Sequence, residues 1–253
     1  PLDGTRVIDL SSMISGPLAT MLLGDQGADV IKVEAPGIGD LVRGIGTPAG
    51  FSATFLSANR NKRSIVLDLK QPAGRRVVER LLADGDVFVQ NLRPGVIERM
   101  GFGEDAVRRI RPDIVYVSIS GFGHAGPYRH KRVYDPLIQG MATLTEIQGG
   151  RGERPRLVRV IVPDKVTALT AAQAITAALL ARERTGKGQH VTLSMLDALL
   201  AFVWPEAMAY DTFISPDLPR IAPVARRDLV YETEDSYVIV STVALGEWQG
   251  FCR

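Results

Sequence analysis

The first half of this chain alternates short apolar runs with stretches of helical periodicity, and that alternation restricts its fold more than any other feature. Arg6-Val7-Ile8-Asp9-Leu10 reads as a buried strand. Gly16 to Gln26 then carries Leu18, Met21 and Leu22 at helical spacing, with Gly27 as its stop. Ala28 to Val33 is a second strand and completes a β-α-β unit. Further strands fall at Ser64 to Leu69, Val87 to Gln90 and Asp113 to Ser118. Pro72 opens a helix reaching about Leu82, at the first-turn position that proline tolerates. Short helices span Pro94 to Met100 and Glu104 to Ile110. Such alternation predicts an α/β fold, a parallel sheet covered by helices on both faces.

Beyond Ser118 the helical signal dominates. Gly121 to Arg132 reads as loop, Asp135 to Gln148 as helix, and Gly149 to Arg159 as a polar, glycine-rich connection. Lys165 to Arg184 is the clearest helix, with the apolar stripe Val166, Leu169, Ala172, Ile175 and Leu179. Its many alanines let neighbours approach closely, and Gly186 and Gly188 end it. His190 to Leu193 is a strand, Met195 to Tyr210 a helix, and Asp211 to Arg227 irregular. Leu229 to Glu232 and Tyr237 to Thr242 predict a hairpin of a second, smaller domain. A helix begins near Leu245, yet the chain stops at Arg253 without a cap, so the expectation is a truncated or partial protein.

Composition narrows the function. Of the 253 residues, 45% are apolar and 23% charged, enough for a sizeable core. Thirty basic residues face 28 acidic ones, with no dense basic block and no basic-aromatic interleaving, so a nucleic-acid partner is not expected. No apolar stretch has the length needed to span a bilayer, so no membrane partner is expected either. Cys252 is the single cysteine, which excludes an intrachain disulfide. The opening Pro1-Leu2-Asp3-Gly4 lacks the order of a signal peptide, and together these features predict a cytoplasmic setting. Arginine outnumbers lysine, which reflects codon bias or a need to hold phosphates with planar donors.

Gly121-Phe122-Gly123-His124-Ala125-Gly126 is a literal G-x-G-x-x-G after a strand. A dinucleotide fingerprint also needs a helix to begin within it, and Pro127-Tyr128-Arg129-His130-Lys131 has no helical pattern. A flexible loop near a site, or a plain turn, fits better. Asp164 stands between an irregular basic segment and the strongest helix. It suits an N-cap. It equally suits a nucleophile, kept ionised by the positive end of the helix dipole and able to split one acyl transfer into two steps. His124, His130 and His190 lack metal-ligand spacing, so no metal is expected, and His190 reads as packing on its strand. A serine-hydrolase elbow is absent.

Several strings in this order resemble the class III CoA-transferases, of the formyl-CoA and carnitine CoA-transferase type. They are Pro1-Leu2-Asp3-Gly4, Val7-Ile8-Asp9, Gly16-Pro17 and Gly27 to Glu34. Asn59 to Ile65, Leu67-Asp68-Leu69-Lys70, Asn91-Leu92-Arg93-Pro94-Gly95 and Arg99-Met100-Gly101 continue the series. Thr185-Gly186-Lys187-Gly188-Gln189 and Ser194-Met195-Leu196-Asp197-Ala198 complete it. The resemblance implies transfer of CoA from an acyl-CoA to a free carboxylic acid through an aspartyl anhydride and thioester on Asp164. It implies CoA contacts at Met13, Ile14, Ser15, Leu67, Asn91, Leu92, Arg99 and Arg132, and a substrate-site role for Tyr134. It also implies a large Rossmann-like domain over residues 1–200, a linker over 201–228 and the start of a small domain over 229–253, in an interlocked homodimer.

The sequence departs from that pattern in two places. Pro163-Asp164-Lys165 replaces the usual glycine before the aspartate, and no glycine run that could cover Asp164 lies between Asp211 and Arg227. An α-methylacyl-CoA racemase shares the implied fold but needs an acid-base histidine at the position of Tyr134, and a phenol is a poor base at neutral pH. A non-catalytic acyl-CoA-binding relative is a third alternative. The acids themselves stay open.

Overall fold

The structure, a computed structural model, describes residues 1–46, 51–150, 152–208, 212, 215, 217 and 229–253. Six strands form one parallel sheet: β1 (Arg6–Asp9), β2 (Asp29–Glu34), β3 (Lys62–Val66), β4 (Val87–Gln90), β5 (Val115–Ser120) and β6 (His190–Ser194). Their order is β3-β2-β1-β4-β5-β6, so the winding reverses between β1 and β4. The crevice outside the carboxyl ends of the strands at such a reversal is where doubly wound sheets bind ligands. Val7 pairs with Val30 on one side and Val87 on the other. These central strands are buried on both faces, in keeping with their apolar runs Val7-Ile8, Val87-Phe88-Val89 and Val115-Tyr116-Val117.

Helices α1 (Ser15–Asp25), α2 (Ala53–Asn59), α3 (Pro72–Ala83), α4 (Val96–Arg99) and α5 (Glu104–Ile110) follow the early strands. Then come α6 (Asp135–Met141), α7 (Leu144–Gly149), α8 (Val162–Thr185) and α9 (Met195–Ala207). One face of the sheet is covered by α1 and α8, where Ala168, Ala171 and Ile175 meet Val7, Val87 and Val115. The small alanines bring α8 close to the strands. On the other face Val78, Leu82, Phe102 and Val107 close over Ile8, Phe88 and Tyr116. A third cluster joins α6, α7 and α9 through Ile138, Leu144 and Leu199. Strand β7 (Val230–Glu232) pairs antiparallel with β8 (Tyr237–Ile239), as the sequence predicts, and α10 (Leu245–Phe251) follows. Among the described residues no helix is long and apolar enough to cross a membrane.

Several elements differ from the expectation. The helix expected over 135–148 is two, because Thr143 adopts a left-handed conformation (φ 62°) between α6 and α7. Strand β3 starts at Lys62 and β5 extends to Ser120, each set by pairing with its neighbour. Helix α2 and a 3-10 turn over Leu41–Gly44 occupy a span the sequence left unassigned. Side-chain caps start both: Asp40 accepts from Val42 N (3.1 Å) and Ser52 from Phe55 N (3.0 Å).

The carboxyl edge of β1 carries a buried charge network. Asp9 accepts from Lys62 Nζ (3.0 Å), Thr20 Oγ1 (2.7 Å), Ser11 N (2.9 Å) and the Ser11 hydroxyl. Lys32 lies beside it, paired with Asp40 at 2.9 Å and donating to the Ser11 carbonyl at 2.9 Å. Burial alone would raise the Asp9 pKa; the Lys62 and Lys32 cations, with the Ser11 and Thr20 hydrogen bonds, hold it well below the usual carboxylate range. A depressed carboxylate contributes stability above its free value of 3.8 and loses it as pH falls through that range. Asp9→Ala leaves two ammonium groups buried without this counter-charge and is expected to cost about 3–5 kcal/mol in urea unfolding. Pairing it with Lys62→Met should recover a large part of that loss, and a double variant no more stable than the single one would refute the account.

Candidate active site

Two loops diverge at the reversal of winding, Ser11–Ile14 after β1 and Asn91–Pro94 after β4. Asn91 ties them together: Oδ1 accepts from Ser12 N (2.9 Å) and Nδ2 donates to the Ser12 carbonyl (2.6 Å). Met13 takes a left-handed conformation (φ 69°), held by its N–H donating to Asp40 Oδ1 at 3.1 Å. Gly16 follows because a Cβ there would collide with the Ser11 side chain.

The loops border two cavities that share Ser12, Leu92 and Val96. The larger, about 460 Å³, is lined by Leu67, Arg99 and Met100, with Lys32, Lys70 and Arg75 as further cations. The smaller, about 370 Å³, is lined by Met13, Ser15, Asn91, Arg132, Tyr134 and Asp164. The structure therefore brings most of the sequence-predicted site residues to one edge of the sheet. It separates Arg99 from Arg132, one in each cavity, and Ile14 lines neither. Tyr134 is 62% exposed, just ahead of α6. The stretch from Asp211 to Arg227 that lacks a glycine run lies outside the described residues, apart from Thr212, Ser215 and Asp217.

Asp164 is not an N-cap. Helix α8 begins at Val162, three residues earlier than a cap at Asp164 allows, and Ile161 precedes it without a capping side chain. The Asp164 carboxylate is thereby free of helix-capping duty, and its Oδ1 accepts the Ser15 hydroxyl instead. Beside it stands Asp135, the buried first residue of α6, which accepts the Asp164 N–H at 3.3 Å and Gln139 Nε2 at 2.6 Å. Gln139 accepts Val158 N (3.0 Å) and so ties α6 to the segment entering α8. Three helix N-termini, those of α1, α6 and α8, converge here, and their partial positive charge favours an anion. Burial nevertheless pushes the Asp164 pKa up, the Asp135 charge adds to this, and the Ser15 hydrogen bonds oppose it. Burial also raises Asp135, against its bonds to Gln139 and Asp164 N and the charge of Lys165. Lys165 itself is exposed.

Sequence reasoning missed Asp135 and Gln139, although their i, i+4 spacing on a helix opened by Pro136 is a signal for such a pair. It also missed a polar chain through the sheet. His190 does sit on a strand, but its Nδ1 meets Glu104 Oε2 at 2.6 Å and its Nε2 meets Ser118 Oγ at 2.9 Å. Ser118 accepts from Gln90 Nε2 (2.9 Å), and Gln90 Oε1 accepts Leu92 N (2.9 Å) at the cavity wall. The glycine loop Gly121–Gly126 leads into no helix before α6, so the phosphate geometry of a dinucleotide fingerprint is not met.

A doubly wound parallel sheet with a cleft at its winding reversal defines a Rossmann-type α/β protein. The chain belongs to CoA-transferase family III, whose model matches residues 2–253. It is 40% identical to succinyl-CoA:glutarate CoA-transferase of Mus musculus over 246 residues, 95% of this chain and 56% of that protein. It is 43% identical to formyl-CoA:oxalate CoA-transferase of Rhodopseudomonas palustris over 201 residues, 79% of this chain and 47% of that protein. A CAIB/BAIF family protein from Brucella suis superimposes with a TM-score of 0.86 at 36% identity, covering 95% of this chain and 66% of that one. The chain thus spans between about half and two thirds of the length of these relatives.

The raised Asp164 pKa makes a stability prediction. A carboxyl whose folded pKa lies above its free value of 3.8 costs stability wherever it is ionised in the fold, and that cost disappears below pH 3.8, where both states hold the proton. Asp164→Asn is therefore expected to melt above the wild type at pH 7, with the gap closing as pH falls through that range. An unchanged or lowered melting temperature at pH 7 would contradict it.

Proposed function

We propose that this chain forms the major part of a CoA-transferase that moves CoA from an acyl-CoA donor to a free carboxylic acid, with Asp164 as the covalent nucleophile. The observation that carries the reading is the setting of Asp164: a poorly hydrated carboxylate, no helix cap, at the wall of the cleft where the winding reverses. Its carboxylate attacks the acyl-CoA carbonyl; the C–S bond breaks and a mixed anhydride and CoA thiolate form. The thiolate attacks the aspartyl carbonyl and expels the donor acid, leaving an aspartyl-CoA thioester. The acceptor carboxylate displaces the thiolate, which then attacks the acceptor's acyl carbon and frees Asp164. No step needs a net proton transfer.

In this reading CoA lies along Met13, Ile14, Ser15, Leu67, Asn91 and Leu92, with Arg99 and Arg132 as phosphate contacts. Tyr134 borders the acyl group. The relatives act on glutarate and oxalate by name, and Arg93, Arg129 and Lys131 add cations to the Asp164 cavity, which suits an acid with a second carboxylate. The racemase alternative has no support at Tyr134, since a histidine is required there. The same reading assigns a large domain to residues 1–200, a linker to 201–228 and a small-domain segment to 229–253 of a longer chain. It adds an interlocked homodimer in a reducing cytoplasm, in keeping with a lone cysteine.

The test incubates the protein with succinyl-CoA and glutarate, oxalate and other acids, and follows new CoA thioesters by mass spectrometry. Transfer is expected in the wild type and a loss of at least about 1,000-fold in Asp164→Ala. Transfer that survives in Asp164→Ala, or deuterium exchange α to the thioester without transfer, would overturn the proposal.

A further inference from the structure

Ser15 stands apart from the other residues of the β1 loop, because its side chain is aimed at the nucleophile. Its hydroxyl donates to Asp164 Oδ1, and its backbone N–H, the first of helix α1, lies near enough to the same carboxylate to help hold its pKa down. Ser15 is 4% exposed and cannot wander. The residues before it are pinned by Asn91 at Ser12 and by Asp40 at Met13, and Gly16 after it is packed against Ser11. A hydroxyl on one rigid residue therefore meets a carboxylate oxygen 149 positions away in sequence.

We propose that Ser15 is a catalytic residue, the oxyanion hole for the steps that occur at the carbonyl carbon of Asp164. This deepens the transferase reading and rests on it. When the CoA thiolate attacks the mixed anhydride at Asp164 Cγ, the new S–C bond pushes the carbonyl π electrons onto Oδ1. The Ser15 O–H, with the first N–H of α1 nearby, receives that charge, and it returns to re-form C=O as the donor carboxylate leaves. The same donors serve when the acceptor carboxylate attacks the aspartyl thioester and the C–S bond breaks. Ser15 keeps its proton throughout. Donors already fixed where charge develops are the most effective kind of transition-state stabilisation. The first step builds its charge on the substrate's own carbonyl oxygen, so it does not draw on Ser15 in this way.

The experiment compares wild type, Ser15→Ala, Ser15→Thr and Asp164→Ala with succinyl-CoA and an acceptor acid. Removing one preorganised donor is expected to lower kcat about 100-fold, with KM for the acyl-CoA changed less than about threefold. In rapid-mixing mass spectrometry the Asp164-CoA adduct should both form and discharge more slowly in Ser15→Ala. The acid limb of kcat/KM should move to higher pH, because a bond that holds the Asp164 pKa down is gone. Ser15→Thr should recover part of kcat. A fold defect would instead appear as a lowered melting temperature with adduct amplitude lost in proportion. Ser15→Ala with kcat within about threefold of wild type and an unmoved acid limb sinks the Ser15 assignment alone. No adduct in the wild type, or an adduct retained in Asp164→Ala, sinks the transferase reading and this assignment with it.

Discussion

A fully buried carboxylate, Asp9, sets the terms for the carboxyl edge of the sheet. It draws Lys62 from β3, Thr20 from α1 and Ser11 from the loop that follows β1. Buried ion pairs contribute little net stability, because desolvation cancels most of the Coulomb gain. What the network contributes is position. Lys32 holds Asp40, Asp40 holds the left-handed Met13, and Met13 fixes where helix α1 begins. Break the charge balance under the loop and the geometry around Ser15 loses the hold that Asp40 has on Met13.

The same edge contains carboxylates under opposite electrostatic regimes. Asp9 is surrounded by ammonium groups and held low, and Glu34, despite burial, is pulled down to about 2 by Arg43, Ser64 and the Asp40 N–H. Buried Asp135 and half-buried Asp164 lie next to each other, and burial raises both, against their hydrogen-bond donors and, at Asp135, the charge of Lys165. The first pair behaves as structure. The second is costly to keep ionised, and a fold that retains such a cost in a cleft marks that place as chemical.

The sheet was legible because parallel strands buried on both faces carry apolar runs, here Val7-Ile8 in β1, Val30-Ile31 in β2 and Val87-Phe88-Val89 in β4, even though Lys32 interrupts β2 and β1, β2 and β4 end on Asp9, Glu34 and Gln90. Helix α2 was not, since its start depends on the Ser52 cap and its apolar face is only Phe55 and Ala58. The break at Thr143 was hidden because a β-branched residue gives no local sign of a positive φ. At Asp164 local preference pointed to a cap, and a contact from α1 overrode it. The nucleophile candidate itself was visible only through family resemblance, because an aspartate before a helix is commonplace. The Glu104-His190-Ser118-Gln90 chain was invisible for a different reason: strand register makes Gln90 and Ser118 neighbours, and nothing in linear order does.

The sequence separation of 149 between Ser15 and Asp164 has a temporal consequence. A chain emerging from the ribosome can pair β1 through β5 and seat α1 long before the segment with Asp164 has been made. Until α8 lies down along α1, the aspartate is a hydrated side chain with no fixed donors. Docking that helix completes the hydrophobic layer over the sheet and gives the carboxylate its hydroxyl donor in one event. The polar geometry of the cleft is thus a late product of synthesis, tied to the same step that finishes the core.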